Sequence, residues 1–232
     1  MILSYDWAGG REAMLRFGPL DGPVVVALPP LFEEANRMRA TLVAMLRALA
    51  RQGIASLLPD LPGTGESTVP LADVTLATWR EAFAGVLAAA GRPAHGLSVR
   101  GGALVEAGAD LRSRWQLTPV DGQDLVRDLF RMRAIADPNT PRDFDPLAPS
   151  PEGPPVELAG NRMPRPLLCE LIGATPQVGG ATRVARLGKD RRIADLALPD
   201  TPPWRRAEPG QDLPLAETLA ADLAAWIRSC GG

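Results

Sequence analysis

One stretch of the chain has the residues and spacing of a strand-to-helix turn that could carry a catalytic side chain: His95-Gly-Leu-Ser-Val-Arg-Gly-Gly-Ala-Leu104. Residues 94–99 are small or favour β-structure, and the residues from Ala103 onward favour a helix, so the junction falls at residues 100–102. In a nucleophile elbow, written G-x-S-x-G, the residues two before and two after the apex must be small, because strand and helix nearly touch there. The stretch has the layout of such an elbow.

The size rule identifies the apex. With Ser98 at the apex, Arg100 would fall two residues later, where an arginine is far too large. With Arg100 at the apex, the flanking residues are Ser98 and Gly102, which are both small. We therefore expect Arg100 at the apex. A plainer interpretation stays open, in which this is an ordinary turn of an α/β sheet and Arg100 is a solvated charge at its end.

The chain lacks the histidine that a Ser-His-Asp triad needs. Such a triad requires an imidazole within hydrogen-bond reach of the nucleophile. The only histidine, His95, precedes Ser98 by three residues and Arg100 by five on the same strand, and odd offsets place side chains on opposite faces. In hydrolases with such an elbow the base follows the last strand, where residues 202–206 are Pro-Pro-Trp-Arg-Arg. The sequence predicts no triad and a His95 packed between sheet and helix.

Two neighbouring carboxylates could supply acid–base chemistry. Glu33 and Glu34 could act as acid and base together with Asp60 or Glu66. Paired carboxylates at a helix N-terminus more often complement the helix dipole, and we favour that capping role.

The sequence gives little support for a cofactor or a metal. The loop Gly63-Thr-Gly65 lacks the third glycine of G-x-G-x-x-G, and Lys189, the only lysine, lies in no phosphate-binding loop. Cys169 and Cys230 form no C-x-x-C and no spacing typical of a disulfide or of zinc. We expect no cofactor and no bound metal.

Alternating strand and helix patterns predict βαβ winding of an α/β domain. The strand patterns fall at residues 12–17, 23–28, 54–58, 94–99, 114–120, 182–187 and 193–198. Helical spacing falls at residues 31–52, 76–90, from 103 onward, 123–134, 166–172 and 215–227. Residues 137–155, rich in proline and aspartate, are expected to form a lid-like excursion over the sheet edge. We expect one domain over residues 1–232, with a mostly parallel central sheet and helices on both faces.

The composition suits a globular protein, with 46% hydrophobic and 22% charged residues. A net charge of −2 argues against nucleic acid as a partner. The first residues lack a basic segment followed by an apolar one, and no apolar run approaches membrane-spanning length. We therefore expect a cytoplasmic protein that does not span a membrane.

Several short blocks resemble, in the right order, the exosortase A system-associated hydrolases of the second type. One block is the elbow around Arg100, where that family likewise has an arginine. The blocks before it are residues 29–39, 60–67 and Trp79, and those after it are residues 115–122, 129–133, 157–160 and Pro203-Trp204 with Glu208. The chain departs from the family pattern at Leu31-Phe32, Glu66 and His95. The resemblance implies an α/β-hydrolase fold with a reduced lid. It also implies a bacterial setting tied to exosortase protein sorting or exopolysaccharide export, with a protein of that system as a partner, and it names no substrate.

Two functions stay open. One is hydrolysis of an ester, thioester or amide, with water as nucleophile and a carboxylate as base, at an atypical site made from Arg100, Glu33, Glu34, Asn36 and Asp60. The other is a non-catalytic protein of the same fold that binds an anionic group or a partner, because arginine stays protonated and can hold a carboxylate or phosphate bidentately.

The environment of the carboxylates would separate these two functions. Arg100 above a helix N-terminus needs a negative partner, and we expect an ion pair with Glu33 or Glu34, with Asn36 nearby. A carboxylate held tightly by Arg100 would favour binding or a purely structural role. A carboxylate of strongly raised pKa in the pocket would favour an enzyme.

Overall fold

A central sheet of eight strands runs through the molecule. The computed structural model describes residues 1–139 and 143–231. The strands are β1 Ile2–Trp7, β2 Gly10–Phe17, β3 Val24–Leu28, β4 Ala55–Pro59, β5 His95–Val99, β6 Ser113–Leu117, β7 Val156–Leu158, β8 Asn161–Met163, β9 Thr182–Leu187 and β10 Leu196–Leu198. The central sheet has the order β1-β2-β4-β3-β5-β6-β9-β10. All neighbours from β4 to β10 are parallel, and β2 pairs antiparallel with β1 and β4. The expected mostly parallel sheet is confirmed.

Helices cover both faces of this sheet. They are α1 Glu33–Arg51, α2 Leu76–Ala90, α3 Gly102–Val105, α4 Gly122–Ala136, α5 Arg165–Ile172 and α6 Leu213–Ser229. Residues of α1 and α6 form one core with Val25 and Ala27 of β3, and residues of α2, α4 and α5 form the other with Val24, Val26 and Leu28. Because successive residues of a strand point to opposite faces, the apolar run of β3 fills both cores. The expected covering of both faces is confirmed.

Local signals fix the two ends of α2. The Thr75 hydroxyl accepts the Thr78 N–H at 3.0 Å, and the Thr78 hydroxyl accepts the Thr75 N–H at 3.3 Å. The helix ends at Gly91, which has a left-handed φ of 67°. This combination of an N-terminal capping box and a C-terminal glycine stops the helix at both ends without help from the core.

Four elements differ from the sequence expectation. β1 is an additional edge strand, and β7 and β8 form a separate antiparallel hairpin. Strands of three residues carry too few positions to show a period of two, which is why this hairpin leaves no clear pattern. The helix after the elbow, α3, has only four residues and is followed by Gly108 at a φ of 82°.

The excursion at residues 137–155 has an irregular backbone in its described parts, 137–139 and 143–155, and residues 140–142 lie outside the described residues. Phe144 anchors it by stacking on Phe130 of α4, with ring centroids 5.7 Å apart. Among the described residues, those that reach the candidate site from this part of the chain belong to the following hairpin and not to the excursion. No helix in the described ranges is long and apolar enough to cross a membrane.

The parallel winding brings three loops to one edge of the sheet. The carboxyl ends of β3, β4 and β5 lie side by side, so the loops that follow them converge. The loop after β3 leads into Glu33 and Glu34 at the start of α1, and the loops after β4 and β5 carry Asp60 and Arg100. The candidate site is built at this edge.

Candidate functional site

Arg100 stands at the apex of a tight turn between β5 and α3. Its φ is 53°, a left-handed conformation that residues with a side chain rarely adopt. Two residues later, a Cβ on Gly102 would lie 2.6 Å from the Pro29 carbonyl oxygen and 2.8 Å from that of Leu28. The second flank must therefore be glycine, as the size rule predicts. Arg100 occupies the apex, and Ser98 is buried in the strand below it.

The Arg100 guanidinium forms a buried ion pair with Glu34. Nε lies 3.3 and 3.2 Å from the two carboxylate oxygens of Glu34, and Nη2 lies 3.2 Å from Oε1. The side chains are only 8% and 14% exposed. A second carboxylate, Asp128 of α4, lies 3.9 Å from Nη2. The expected ion pair is confirmed, with Glu34 as the partner, and the interpretation of Arg100 as a solvated end charge is wrong.

Trp204 packs over the same guanidinium. Its ring lies 5.6 Å from the Arg100 Cζ, within the range of a cation–π contact. Trp204 belongs to a short 3-10 turn, Pro203–Arg205, after the last strand of the sheet, and its carbonyl oxygen accepts a hydrogen bond from Arg37 Nη1 at 3.2 Å. The segment after the last strand, where a triad would have its histidine, therefore brings an indole to Arg100.

A strained residue sets the start of α1. Phe32 precedes the helix with φ 61° and ψ −138°, and its side chain makes no capping hydrogen bond. The Phe32 ring packs against Trp79, with centroids 5.9 Å apart. This contact holds the turn that aims the first residues of α1 at the elbow.

A cavity of about 380 Å³ lies beside the ion pair. Its polar lining includes Glu33, Asn36, Arg39 and Asp60, and the β7–β8 hairpin contributes Asn161. Its apolar wall is formed by residues of the converging loops: Leu28, Pro29, Pro30, Leu31, Phe32, Leu61, Leu71 and Val105. The cavity can accommodate a small molecule with an apolar body and a few polar groups.

Asp60 and Arg39 face each other across part of this cavity. Arg39 Nη1 lies 3.8 Å from Asp60 Oδ1, and the Arg39 side chain is half exposed. Asp60 also accepts the backbone N–H of Glu66 at 3.3 Å. Glu66 itself is exposed and approaches the site only through its backbone, so its predicted side-chain role has no counterpart in these contacts.

Burial perturbs both glutamates of the first turn of α1. Burial raises the pKa of Glu33, and the neighbouring Glu34 charge raises it further, while a hydrogen bond from its own backbone N–H and the Arg37 charge lower it. The pKa of Glu34 is also raised, because burial and the Asp128 charge raise it against the charge and hydrogen bonds of Arg100. Among the described residues, Glu33 Oε2 is buried without a hydrogen-bond partner. Glu33 is thus the less satisfied of the two carboxylates.

The predicted site residues divide into two neighbouring groups. Glu34 and Arg100 form the ion pair, and Glu33, Asn36 and Asp60 line the cavity. The tight pairing expected of a structural or binding role is met by Glu34, and Glu33 shows a raised pKa in the cavity, as the enzyme interpretation requires in direction. Whether any of these residues is catalytic stays a prediction.

His95 is remote from this edge. It opens β5 at the opposite end of the strand, is 1% exposed, and its Nδ1 lies 2.8 Å from the Ser113 hydroxyl. Burial lowers its pKa. The predicted packed histidine is confirmed. Within residues 1–139 and 143–231, no cluster of His, Cys, Asp and Glu could hold a metal ion.

Sequence reasoning missed a buried carboxyl group beneath the elbow. Glu106 follows α3 and is fully buried. Its Oε1 accepts hydrogen bonds from the Ser98 hydroxyl at 2.8 Å and from Gln116 Nε2 at 2.9 Å. Its Oε2 has no hydrogen-bond partner among the described residues. Burial raises its pKa from 4.5 to about 7, against the two hydrogen bonds and the Arg114 charge. A single acidic residue in an apolar stretch carried no signal of such an environment.

Solved structures resemble the chain over its whole length. Est1E from Butyrivibrio proteoclasticus, solved with ferulic acid bound, superposes with a TM-score of 0.64 at 14% identity over 97% of this chain and 99% of Est1E. The mouse α/β-hydrolase domain-containing protein 10 superposes with a TM-score of 0.64 at 13% identity over 99% of both chains. No family model and no curated protein matches the sequence. The structural likeness establishes the α/β-hydrolase fold.

Replacing Arg100 should destabilise the protein. Arg100→Ala leaves the Glu34 carboxylate unpaired in a buried place, and we expect the free energy of unfolding to fall by about 3 kcal/mol. Arg100→Lys should recover only part of this loss, since an ammonium group lacks the planar fork that contacts both oxygens. Chemical denaturation at pH 7 measures both effects.

Two controls separate the ion pair from general effects of charge. Arg11→Ala removes an exposed arginine that pairs with Asp6, and this change should cost less than about 1 kcal/mol. Adding Glu34→Gln to Arg100→Ala should restore part of the lost stability, because no charge then stays buried. An Arg100→Ala variant as stable as the wild-type protein would contradict the assignment.

The buried Glu106 carboxyl should make stability fall as pH rises. Its pKa is about 7 in the folded protein and 4.5 as an ordinary glutamate, so the folded state binds the proton more tightly. The cost of ionising it is absent below about pH 4.5 and complete above about pH 7, where it amounts to roughly 3 kcal/mol. Relative to wild type, Glu106→Gln should therefore gain stability between pH 4.5 and pH 8. Unfolding curves at both pH values test this, with the exposed Glu157→Gln as control, and a pH-independent difference would refute it.

Proposed function

We propose that the chain is a non-catalytic protein that binds a small molecule on the α/β-hydrolase fold. The observation that carries the proposal is the buried Arg100–Glu34 ion pair at the elbow apex, the position where hydrolases of this fold hold their nucleophile. A permanently protonated guanidinium can be neither nucleophile nor base. Because Glu34 already satisfies this guanidinium, the pair fills the reactive position with a fixed structural contact.

The position of the catalytic base supports the same proposal. In this fold the histidine of the triad comes late in the chain, after the acid. Here the side chain that reaches the apex from the segment after β10 is Trp204. An indole offers one N–H donor and accepts no proton, so it cannot activate a nucleophile.

The cavity supports a ligand with an anionic group. Its 380 Å³ lies in the lower range of small-molecule sites. Arg39 is half exposed and 3.8 Å from Asp60, a separation at which an exposed ion pair contributes little. Arg39 can therefore turn to a ligand carboxylate, while Arg100 is held by Glu34. Est1E, which shares the fold, holds ferulic acid in its structure, and this supports testing carboxylic acids first.

A second function, hydrolysis by an activated water molecule, is favoured by Glu33. This carboxylate lines the cavity, and burial raises its pKa, as a general base working near neutral pH requires. Its substrate would be an ester, thioester or amide whose acyl group lies along the apolar wall. The water would lose its proton to Glu33 as its oxygen attacks the acyl carbon. The protonated Glu33 would then give this proton to the departing alcohol, thiol or amine as its bond to the acyl carbon breaks.

One set of assays separates the two functions. The purified protein is assayed for turnover of short and long acyl esters, thioesters and amides. Its melting temperature is measured separately with the corresponding acids. We expect no turnover above background and no labelling by a fluorophosphonate probe, since the apex holds no serine. We expect the acids to raise the melting temperature, and this shift should disappear in Arg39→Gln while Arg11→Gln retains it.

Two results would overturn the binding proposal. Turnover that disappears in Glu33→Gln would establish the second function instead. Labelling that disappears in Ser98→Ala would contradict both functions, because it would require the buried Ser98 to react. A panel in which no acid shifts the melting temperature would remove carboxylates as the ligand class.

The biological setting is proposed from sequence alone. The blocks that resemble exosortase-associated hydrolases support a role in exosortase sorting or exopolysaccharide export, with a protein of that system as partner. Deleting the gene in its bacterial host should then reduce exported polysaccharide or sorted surface protein. A deletion strain with normal levels of both would contradict this setting.

A further inference from the structure

A second, larger groove shares Val105 with the candidate cavity and otherwise has different lining residues. It has a volume of about 970 Å³ and runs between α2 and the segment that joins α3 to β6. Leu87 of α2 and Val105 of α3 contribute to its apolar floor. Two lining residues, Ala94 and Arg112, directly precede β5 and β6. The groove therefore lies at the amino ends of these strands, whereas the candidate cavity lies at the carboxyl ends.

Three arginines line this groove. They are Arg80, Arg92 and Arg112, and the acidic residue among the lining residues is Asp110. Over the described ranges, none of the three arginines forms an ion pair. We call this feature, the groove with its three arginines, the basic groove.

The three guanidinium groups are poorly satisfied by the protein itself. Arg80 donates to the Leu104 carbonyl oxygen at 3.0 and 3.2 Å, and Arg112 donates to that of Gly231 at 2.7 Å. Arg92 makes no hydrogen bond to the described residues, and its Nε is buried without a partner. Three positive charges thus line one groove with few acceptors of their own.

Some arginines outside the basic groove form ion pairs with carboxylates. Arg183 pairs with Asp222 at 2.7 Å, and Arg186 pairs with Asp190 at 3.0 Å. The whole chain carries a net charge of −2, so an excess of positive charge in one groove is a local feature and not a consequence of composition. An apolar floor beside such a group of arginines fits a ligand that has an anionic group and an apolar part.

We infer that the basic groove binds the phosphate group of a small molecule whose apolar part lies on the floor of the groove. The planar guanidinium fork matches phosphate oxygens bidentately. Two or more arginines can share the charge of a phosphate group, which exceeds that of a carboxylate. Apolar burial along the floor adds affinity without requiring further polar contacts. This site does not depend on the function of the cavity beside Arg100.

Octyl phosphate is a suitable probe, measured by isothermal titration calorimetry below its aggregation concentration. We expect saturable binding with one site per chain. Inorganic phosphate should bind at least about tenfold more weakly, because burial of roughly two methylene groups produces that factor. Octanol, which lacks the charge, should also bind more weakly, and added salt should weaken the binding of octyl phosphate.

Variants locate the site. Arg92→Gln should weaken octyl phosphate binding about tenfold, as loss of one charge-assisted hydrogen bond predicts. Arg112→Gln, in the segment that joins α3 to β6, should also weaken octyl phosphate binding and so provides a second test. The control is Arg47→Gln, which removes an exposed arginine of α1 on the opposite face of the sheet and should leave binding unchanged.

Several outcomes would overturn the inference. One is the absence of saturable binding. Another is an equal loss of octyl phosphate affinity in Arg92→Gln and Arg47→Gln. A third is an affinity for octanol equal to that for octyl phosphate. Arg39→Gln, which alters the candidate cavity, should leave this binding intact. A loss of octyl phosphate binding in Arg39→Gln but not in Arg92→Gln would assign the ligand to the cavity and reject the basic groove as its site.

Discussion

The buried ion pair between Arg100 and Glu34 constrains every loop around it. A charge at this depth is tolerated only when its partner is held in good geometry, since each ion loses its hydration. Arg100 is aimed by the left-handed backbone of the elbow, and Glu34 is aimed by the strained residue Phe32 before α1. Trp204 packs over the Arg100 guanidinium, and Arg37 donates a hydrogen bond to the Trp204 carbonyl oxygen. Three separate loops are thus fixed by one contact.

The fold and the apex could be predicted because their causes are local or periodic. A strand buried on both faces must be apolar throughout, as β3 is, and a strand that almost touches the following helix must have a small residue at a defined place. Gly102 meets that second demand, with the Pro29 carbonyl oxygen 2.6 Å from where a Cβ would be. Steric exclusion acts over a few residues, so the sequence carries its signature directly.

The remaining features depend on contacts between distant segments of the chain, and such contacts produce no regular residue spacing in the sequence. Trp204 meets Arg100 only because the segment after β10 folds back across α1. Asp128 approaches from α4, where an exposed carboxylate is unremarkable by itself. Glu106 becomes perturbed because it is buried beneath the elbow, and its hydrogen-bond donors Ser98 and Gln116 lie on two neighbouring strands. The hairpin that borders the cavity consists of strands too short to show a pattern.

The two adjacent glutamates explain why the sequence leaves two functions open. Consecutive residues of a helix point about 100° apart, so Glu33 and Glu34 cannot face the same partner. Glu34 is directed at Arg100, and Glu33 is directed at the cavity, where it accepts its own backbone N–H and keeps one oxygen without a partner. The structural role therefore falls on Glu34, whereas the reactive role stays a prediction for Glu33. With Glu34 held by Arg100, the carboxylates that line the cavity are Glu33 and Asp60.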